Sequence, residues 1–248
     1  MNIRALVAEL VGTFILVVVG SLGVWAYAVA TSAQGDALTA LVIIPFAFGL
    51  GLMAAIAIGG PASGGHFNPA VTLAALLDGR VDWKNAVGYV VAQIFGALAA
   101  SLTITLLASS DVVAASVNHP GPIAQALFDK EIRAFVVEAL LTTIFVAVIL
   151  TVTIKAPGQA IIVIPLTLVV IHFVGIFISG ASVNPARSLA PAVVSGTYES
   201  LWVYLTGPFV GSIAGWGIYR FLNGADDNET EEQDDDLDEL DAVEDDDR

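Results

Sequence analysis

The sequence predicts an all-α membrane protein in which six transmembrane helices and two re-entrant half-helices form an inverted repeat. Three observations predict it. The 248 residues are 56% hydrophobic and only 13% charged, too few polar groups to cover a water-soluble globule. Six apolar runs have the length, roughly 20 to 25 residues, that a helix rising about 1.5 Å per residue needs to cross about 30 Å of hydrocarbon. One motif is also spelled twice, as Ser63-Gly64-Gly65-His66-Phe67-Asn68-Pro69-Ala70 and as Ser179-Gly180-Ala181-Ser182-Val183-Asn184-Pro185-Ala186, with Leu-Ala following at 73–74 and again at 189–190.

The net charge of −15 is unevenly placed. Residues 225–248 hold 15 of the 24 carboxylates, leaving nine acids against eight bases before them. The body is therefore nearly neutral, and nothing in it calls for a nucleic-acid partner. There is no cysteine, and the three histidines, His66, His119 and His172, are scattered. Disulfides and thiolate metal sites are excluded, and neither a zinc cluster nor a cofactor is expected.

The first apolar run, 5–30, is a retained span: it lacks a convincing cleavage site and carries Glu9 inside its apolar stretch. Runs 38–60 and 85–108 complete the first half, and 132–154, 160–180 and 201–222 make the second. Two further pieces, 69–77 and 185–194, are only about ten residues long, which as helix is about 15 Å, half the membrane. Each opens with Asn at the N-cap and Pro in the first turn, a start signal because Pro lacks the donor that would be orphaned there. Lipid cannot satisfy bare backbone, so the approaches 61–67 and 179–183 must line protein or a water-filled cavity.

Each half holds three spans, an odd number, so the repeats 4–108 and 132–222 insert with opposite topology. The half-helices then enter from opposite faces and meet N-terminus to N-terminus near the midplane. Glu9 and Glu138 echo the repeat, each with Thr four residues later. Placing the N-terminus inside puts Arg4, Arg80, Lys84, Lys155 and Arg220 on the cytoplasmic side against Lys130 and Arg133 outside, which favours both termini in the cytoplasm. Trp25, Trp83, Trp202 and Trp216 lie near span ends, as interfacial anchors or as ordinary packing. The domain reading is a channel body over 1–224 and an acidic cytoplasmic tail over 225–248, which lacks apolar periodicity and is expected to be disordered.

On these residues the chain resembles the aquaporin family, the major intrinsic proteins, over 4–222. The twin Asn-Pro-Ala motifs stand 116 residues apart. Gly65-His66-Phe67 before the first, Arg187 after the second, and Glu9, Gln93 and Glu138 also match the family pattern in order and spacing. The resemblance implies a multi-pass protein of the cell membrane with a pore through each subunit, commonly a homotetramer.

Asn68, Pro69 and Ala70 with Asn184, Pro185 and Ala186 form the expected pore centre. Each Asn caps a half-helix and turns an amide donor to the lumen. The two N-termini each carry roughly half a positive charge, so they hold a passing water by its oxygen, interrupt a proton wire and repel cations. Arg187 is an intramembrane cation costing about 2.5 kcal/mol or more unless it faces a polar cavity. By resemblance it shares a constriction with Phe48, His172 and Ala181. The carbonyls of Gly64, Gly65 and His66, and of Gly180, Ala181 and Ser182, are the expected acceptor ladder. Glu9 and Glu138 are read as structural acids holding the two re-entrant loops, in preference to a proton relay, with Gln93 on the same scaffold. His66 stands between a pore role and plain packing, and His119 is expected to face solvent.

The Phe and His pair marks water-selective members of the family, and Ser188 after Arg187 agrees. Ala181, in place of a larger Cys or Thr, and Tyr204-Leu205, in place of an aromatic pair, loosen that expectation. A passive water channel that excludes protons and ions is the preferred reading, and a facilitator for glycerol or another small neutral solute is the alternative. A structural membrane protein with a vestigial pore is weaker still. An enzyme is not expected, because no nucleophile and base or metal set converges. The acidic tail reads as a solvating brush of the halophile kind, or as a regulatory segment for a basic partner.

Overall fold

The computed structural model describes the backbone of residues 2–32, 37–124 and 129–246, and the side-chain surroundings of the same residues except 31–40 and 225–246. The helices are α1 (Ile3–Ser32), α2 (Ala37–Ser63), α3 (Pro69–Leu77), α4 (Trp83–Leu107), α5 (Ser110–Ala115), α6 (Lys130–Lys155), α7 (Ala160–Gly175), α8 (Pro185–Ser195) and α9 (Leu201–Asp246), with a 3-10 turn at Pro157–Gln159 before α7. Six of them, α1, α2, α4, α6, α7 and the first part of α9, are long and apolar enough to cross a membrane. Their outward surfaces stay apolar, with Leu106 86% and Phe221 87% exposed, while Glu9, Gln93 and Glu138 are fully buried. That distribution suits lipid outside and a polar interior.

Both half-helices start where the sequence places them. Asn68 and Asn184 are N-caps with extended backbone, and each accepts from the amide two residues on, at 2.9 Å from Ala70 and 3.1 Å from Ala186. α8 ends on Gly196 in the left-handed conformation that glycine adopts freely.

Three boundaries differ from the sequence expectation. The fifth span stops at Gly175 and the chain passes through turns at 176–179, because it has to leave the helix before the approach to α8. A short helix, α5, interrupts the loop between the third and fourth spans and buries Val112 and Val113 beside Ile104. The third difference concerns 225–248, expected to be disordered: α9 continues as helix to Asp246.

The two halves pack alike. α1 lies against α2 and α4, and α6 lies against α7 and α9. They also exchange partners, since α3 packs on α9 and α8 on α4, while α2 meets α7. Close helix approach rests on small residues. A Cβ on Gly96 would lie 2.2 Å from the Leu10 carbonyl oxygen, and a Cβ on Gly211 would lie 2.2 Å from the Ala139 carbonyl oxygen. These are matching positions of the two halves, each one residue past the buried glutamate on the facing helix.

With six candidate spans among the described residues, the start of α1 and the end of the last span lie on one face. That face carries Arg80, which donates to Asp78 at 2.7 Å, to the Thr153 hydroxyl at 2.6 Å and to the Leu150 carbonyl at 2.9 Å. On the opposite face Lys130 donates to Glu199 at 2.8 Å, and this bond and charge hold the Glu199 carboxylate below its usual range. Trp25, Trp83 and Trp202 are partly exposed near helix ends, whereas Trp216 packs beside Ala74, Val146, Leu150 and Tyr219.

Gly96→Ala places a methyl group against backbone that has no room to give, which costs about 1–3 kcal/mol by overpacking. Its thermal midpoint in detergent is expected to fall below that of the parent. Gly217→Ala, with nothing within 4 Å of the added carbon, is expected to leave it unchanged.

Candidate functional site

The approach to each half-helix is tied to a buried acid by the same set of bonds. Glu9 Oε1 accepts from the Ser63 hydroxyl at 2.6 Å and the His66 amide at 2.9 Å, and Oε2 accepts from the Phe67 amide at 2.7 Å. Glu138 Oε1 accepts from the Ser179 hydroxyl at 2.7 Å and the Ser182 amide at 2.9 Å, and Oε2 accepts from the Val183 amide at 2.7 Å. Gln93 Nε2 adds a bond to Glu9 Oε2 at 2.7 Å and another to the Thr72 hydroxyl at 2.9 Å. The carboxylates thus spend their lone pairs on amides that a re-entrant loop cannot satisfy within itself.

Phe67 and Val183, the residues before the two caps, have φ of 49° and 47°. This left-handed conformation is unfavourable for a bulky or β-branched residue by about 1–2 kcal/mol. Each gives its N–H to its own half's glutamate and offers its carbonyl to the other half. Asn68 Nδ2 donates to the Val183 carbonyl at 2.8 Å, and Asn184 Nδ2 donates to the Phe67 carbonyl at 2.9 Å. An amide carries two N–H bonds, so each Asn keeps a second donor, and both residues line the main cavity.

That cavity has a volume of about 350 Å³. It runs from Arg80, Thr153 and Ile154 near the terminal face, past Gly64, Gly65, His66 and the two caps, to Phe48, His172 and Arg187. One wall is apolar, with Leu16, Leu52, Ile56, Phe145 and Leu168, and the other carries the re-entrant backbone. A second cavity of about 200 Å³, lined by Tyr27, Ile44, His119, Gly180 and Arg187 among others, opens beyond.

Phe48, His172 and Arg187 meet in the lining of the main cavity, and Arg187 borders the second as well. The Phe48 and His172 rings stack with centroids 4.6 Å apart at 15°, and the Arg187 guanidinium carbon lies 4.7 Å from the Phe48 centroid. His172 Nδ1 is 2.9 Å from the Leu168 carbonyl. A carbonyl only accepts, so this contact assigns the proton to Nδ1 and leaves Nε2 as an acceptor. His172 Nε2 and Arg187 Nε have no protein partner among the described residues. One acceptor and one donor are thus left buried and unpartnered beside the Phe48 ring.

The other expected residues divide between the cavities and the core. Ala181 is fully buried and turned toward Gly175, where a Cβ would lie 2.9 Å from its own Cβ, and it is absent from the lining of both cavities. Its φ of 50° and single methyl group direct it into the core rather than the lumen. The Gly180 carbonyl accepts from Asn118 Nδ2 at 3.2 Å and borders the second cavity, while Ser182 lines the main one. His66 sits at the cavity with Nδ1 3.1 Å from the Thr72 hydroxyl, and His119 is exposed. Tyr204 donates to the Ser179 carbonyl at 2.8 Å, which gives it a place in the loop scaffold.

Asn118 is a residue the sequence did not single out. Its Oδ1 accepts from Arg187 Nη1 and, at 2.8 Å, from the Ser188 hydroxyl. Arg187 Nη1 also donates to the Ser116 carbonyl at 3.0 Å. The loop after α5 thus reaches the constriction, and its only sequence signal was a polar residue between short apolar stretches.

The chain matches the family model described as Major intrinsic protein over residues 1–219. It is 39% identical over 231 residues to Glycerol uptake facilitator protein-like 6 of Lactiplantibacillus plantarum, covering 90% of this chain and 100% of that one. It is 37% identical over 230 residues to Aquaporin Z of Photorhabdus laumondii, covering 89% and 97% respectively. Among solved structures it resembles the X-ray structure of the aquaglyceroporin from Plasmodium falciparum, with a TM-score of 0.76 at 23% identity over 88% of this chain and 96% of that chain, a likeness of fold. With a family match over residues 1–219, six candidate spans and relatives aligned over 89–90% of it, the chain belongs to the major intrinsic protein family of membrane channels.

Proposed function

We propose that the chain is a passive water channel that excludes protons and ions. The observation that supports this reading is the meeting of Phe48, His172 and Arg187 in the lining of the main cavity, which the two cap residues also line. Water entering the constriction accepts from Arg187 Nε and donates to His172 Nε2, while Phe48 restricts its size. At the centre, the free N–H of Asn68 and of Asn184 both point donors at one oxygen. Its hydrogens turn outward, so a proton relay breaks there, and two helix N-termini with roughly half a positive charge each repel cations. Backbone carbonyls of Gly64, Gly65 and His66 guide the file on one side, and Ser182 continues it on the other.

The same reading puts both termini in the cytoplasm of a cell-membrane protein, as the Lys and Arg distribution favours. It assembles four copies, each with its own pore, and carries the acidic 225–248 segment as a hydrating brush suited to high salt. Glycerol or another small neutral solute is the second reading. The apolar wall of the cavity and the glycerol-facilitator name of a 39% identical relative favour it.

Vesicles containing the purified protein are expected to shrink about tenfold faster than empty ones under osmotic shock, without a proton leak. Labelled-glycerol uptake in the same vesicles separates the two readings. His172→Gly is expected to raise glycerol uptake relative to water, and an unchanged ratio would remove His172 from the constriction. Equal shrinkage of loaded and empty vesicles would sink the channel reading.

Asn118→Ala leaves Arg187 Nη1 with the Ser116 carbonyl alone. The guanidinium is then expected to swing into the lumen and cut water permeability about threefold or more. Asn118→Asp keeps the acceptor and is expected to retain most of the flow, as read in parallel by stopped-flow light scattering.

A further inference from the structure

Phe48 stands where it does because of a residue on a different helix. A Cβ built on Gly20 of α1 would lie 2.2, 2.4 and 2.5 Å from Cε1, Cδ1 and Cζ of the Phe48 ring. Ordinary carbon contacts lie near 3.5–4.0 Å, so the ring occupies the space that any side chain at position 20 would need. Gly12, Leu16, Gly20 and Gly23 recur at helical spacing on one face of α1. Leu16 on that face lines the main cavity. Gly12 does for Phe67 what Gly20 does for Phe48, since its Cβ would lie 2.1 Å from Phe67 Cε1.

α1 is held between α2 and α4, and a Cβ on Gly96 of α4 would lie 2.2 Å from the Leu10 carbonyl oxygen. A Cβ on Gly23 would be 2.3 Å from the Ala47 methyl, and one on Gly51 would be 3.1 Å from Val19 Cβ. Relief of a clash at position 20 therefore falls on the Phe48 ring. Among its neighbours are the His172 ring at 4.6 Å and the Arg187 guanidinium at 4.7 Å, both of which line the cavity. Regaining contact distance moves the ring by about 1.3 to 1.8 Å. That is a large step for an opening that passes molecules of about 1.4 Å radius.

We infer that Gly20 is a specificity-determining position of the channel, which sets the aperture by letting the Phe48 ring recede into α1. It touches no solute and acts through Phe48. The inference rests on the reading of Phe48, His172 and Arg187 as the constriction.

The test compares the full-length parent, Gly20→Ala, Phe48→Val, the double variant and the control Gly217→Ala, in lipid vesicles by stopped-flow light scattering and in detergent by thermal unfolding. Gly20→Ala is expected to lose about tenfold in water permeability, and the double variant to return to within about threefold of Phe48→Val. Gly217→Ala is expected to match the parent. Parent-like flow through Gly20→Ala overturns the inference. So does a double variant as impermeable as Gly20→Ala while Phe48→Val conducts, because the loss then has another cause. Should Gly20→Ala fail to fold, a folded and conducting double variant supports the seat for Phe48; a double variant that also fails, beside a folded Phe48→Val, overturns it. A parent that conducts no water refutes the channel reading instead. The seat is then still read from the thermal midpoint, which Gly20→Ala lowers and the double variant restores.

Discussion

The exchange between Asn68 and Asn184 is the constraint on which the rest of the structure depends. Each amide donates to the carbonyl just before the other cap, at 2.8 and 2.9 Å. These two bonds join half-helices that enter from opposite faces, and they hold two helix N-termini close together inside an apolar slab. Like partial charges repel there, so the pair persists only because each positive end is offered an acceptor belonging to the other half.

Those acceptors are in turn aimed by strain. Phe67 and Val183 adopt φ near +50°, a conformation that points each N–H at a glutamate and each carbonyl at the opposing cap. Glu9 and Glu138 stabilise it by accepting hydrogen bonds that nothing else nearby can take. Removing either acid would orphan two amides and a hydroxyl at a cost of about 1–3 kcal/mol each. A buried carboxylate is unfavourable in isolation, yet here it is the least costly way to keep irregular backbone at mid-membrane. The acids explain the loops, and the loops explain where the donors at the pore centre lie.

The constriction is built by a different logic, since its three members come from α2, α7 and α8 and are positioned by outsiders. Asn118 and the Ser116 carbonyl hold the Arg187 guanidinium, the Leu168 carbonyl orients His172, and Gly20 gives room to Phe48. On the proposed reading, selectivity depends on residues that never meet the solute. The centre is nearly two-fold symmetric, but the constriction has no counterpart at the other end, where Arg80 is instead tied to Asp78 and α6.

The sequence by itself determined the six spans, both half-helix starts, the inverted repeat and the two buried acids. These follow from local rules: apolar length against bilayer thickness, Asn-Pro at a helix start, and an odd span count in each half. Resemblance to the family pattern also singled out Gln93, His172 and Arg187. Tertiary structure alone decided that Ala181 turns into the core, that the loop around α5 comes back to grip Arg187, and that Gly20 faces Phe48. Such contacts join residues far apart in the chain, where neither periodicity nor capping chemistry carries information. Asn118 and Arg187 are 69 positions apart, and a glycine announces its missing side chain only when a neighbouring helix fills the space.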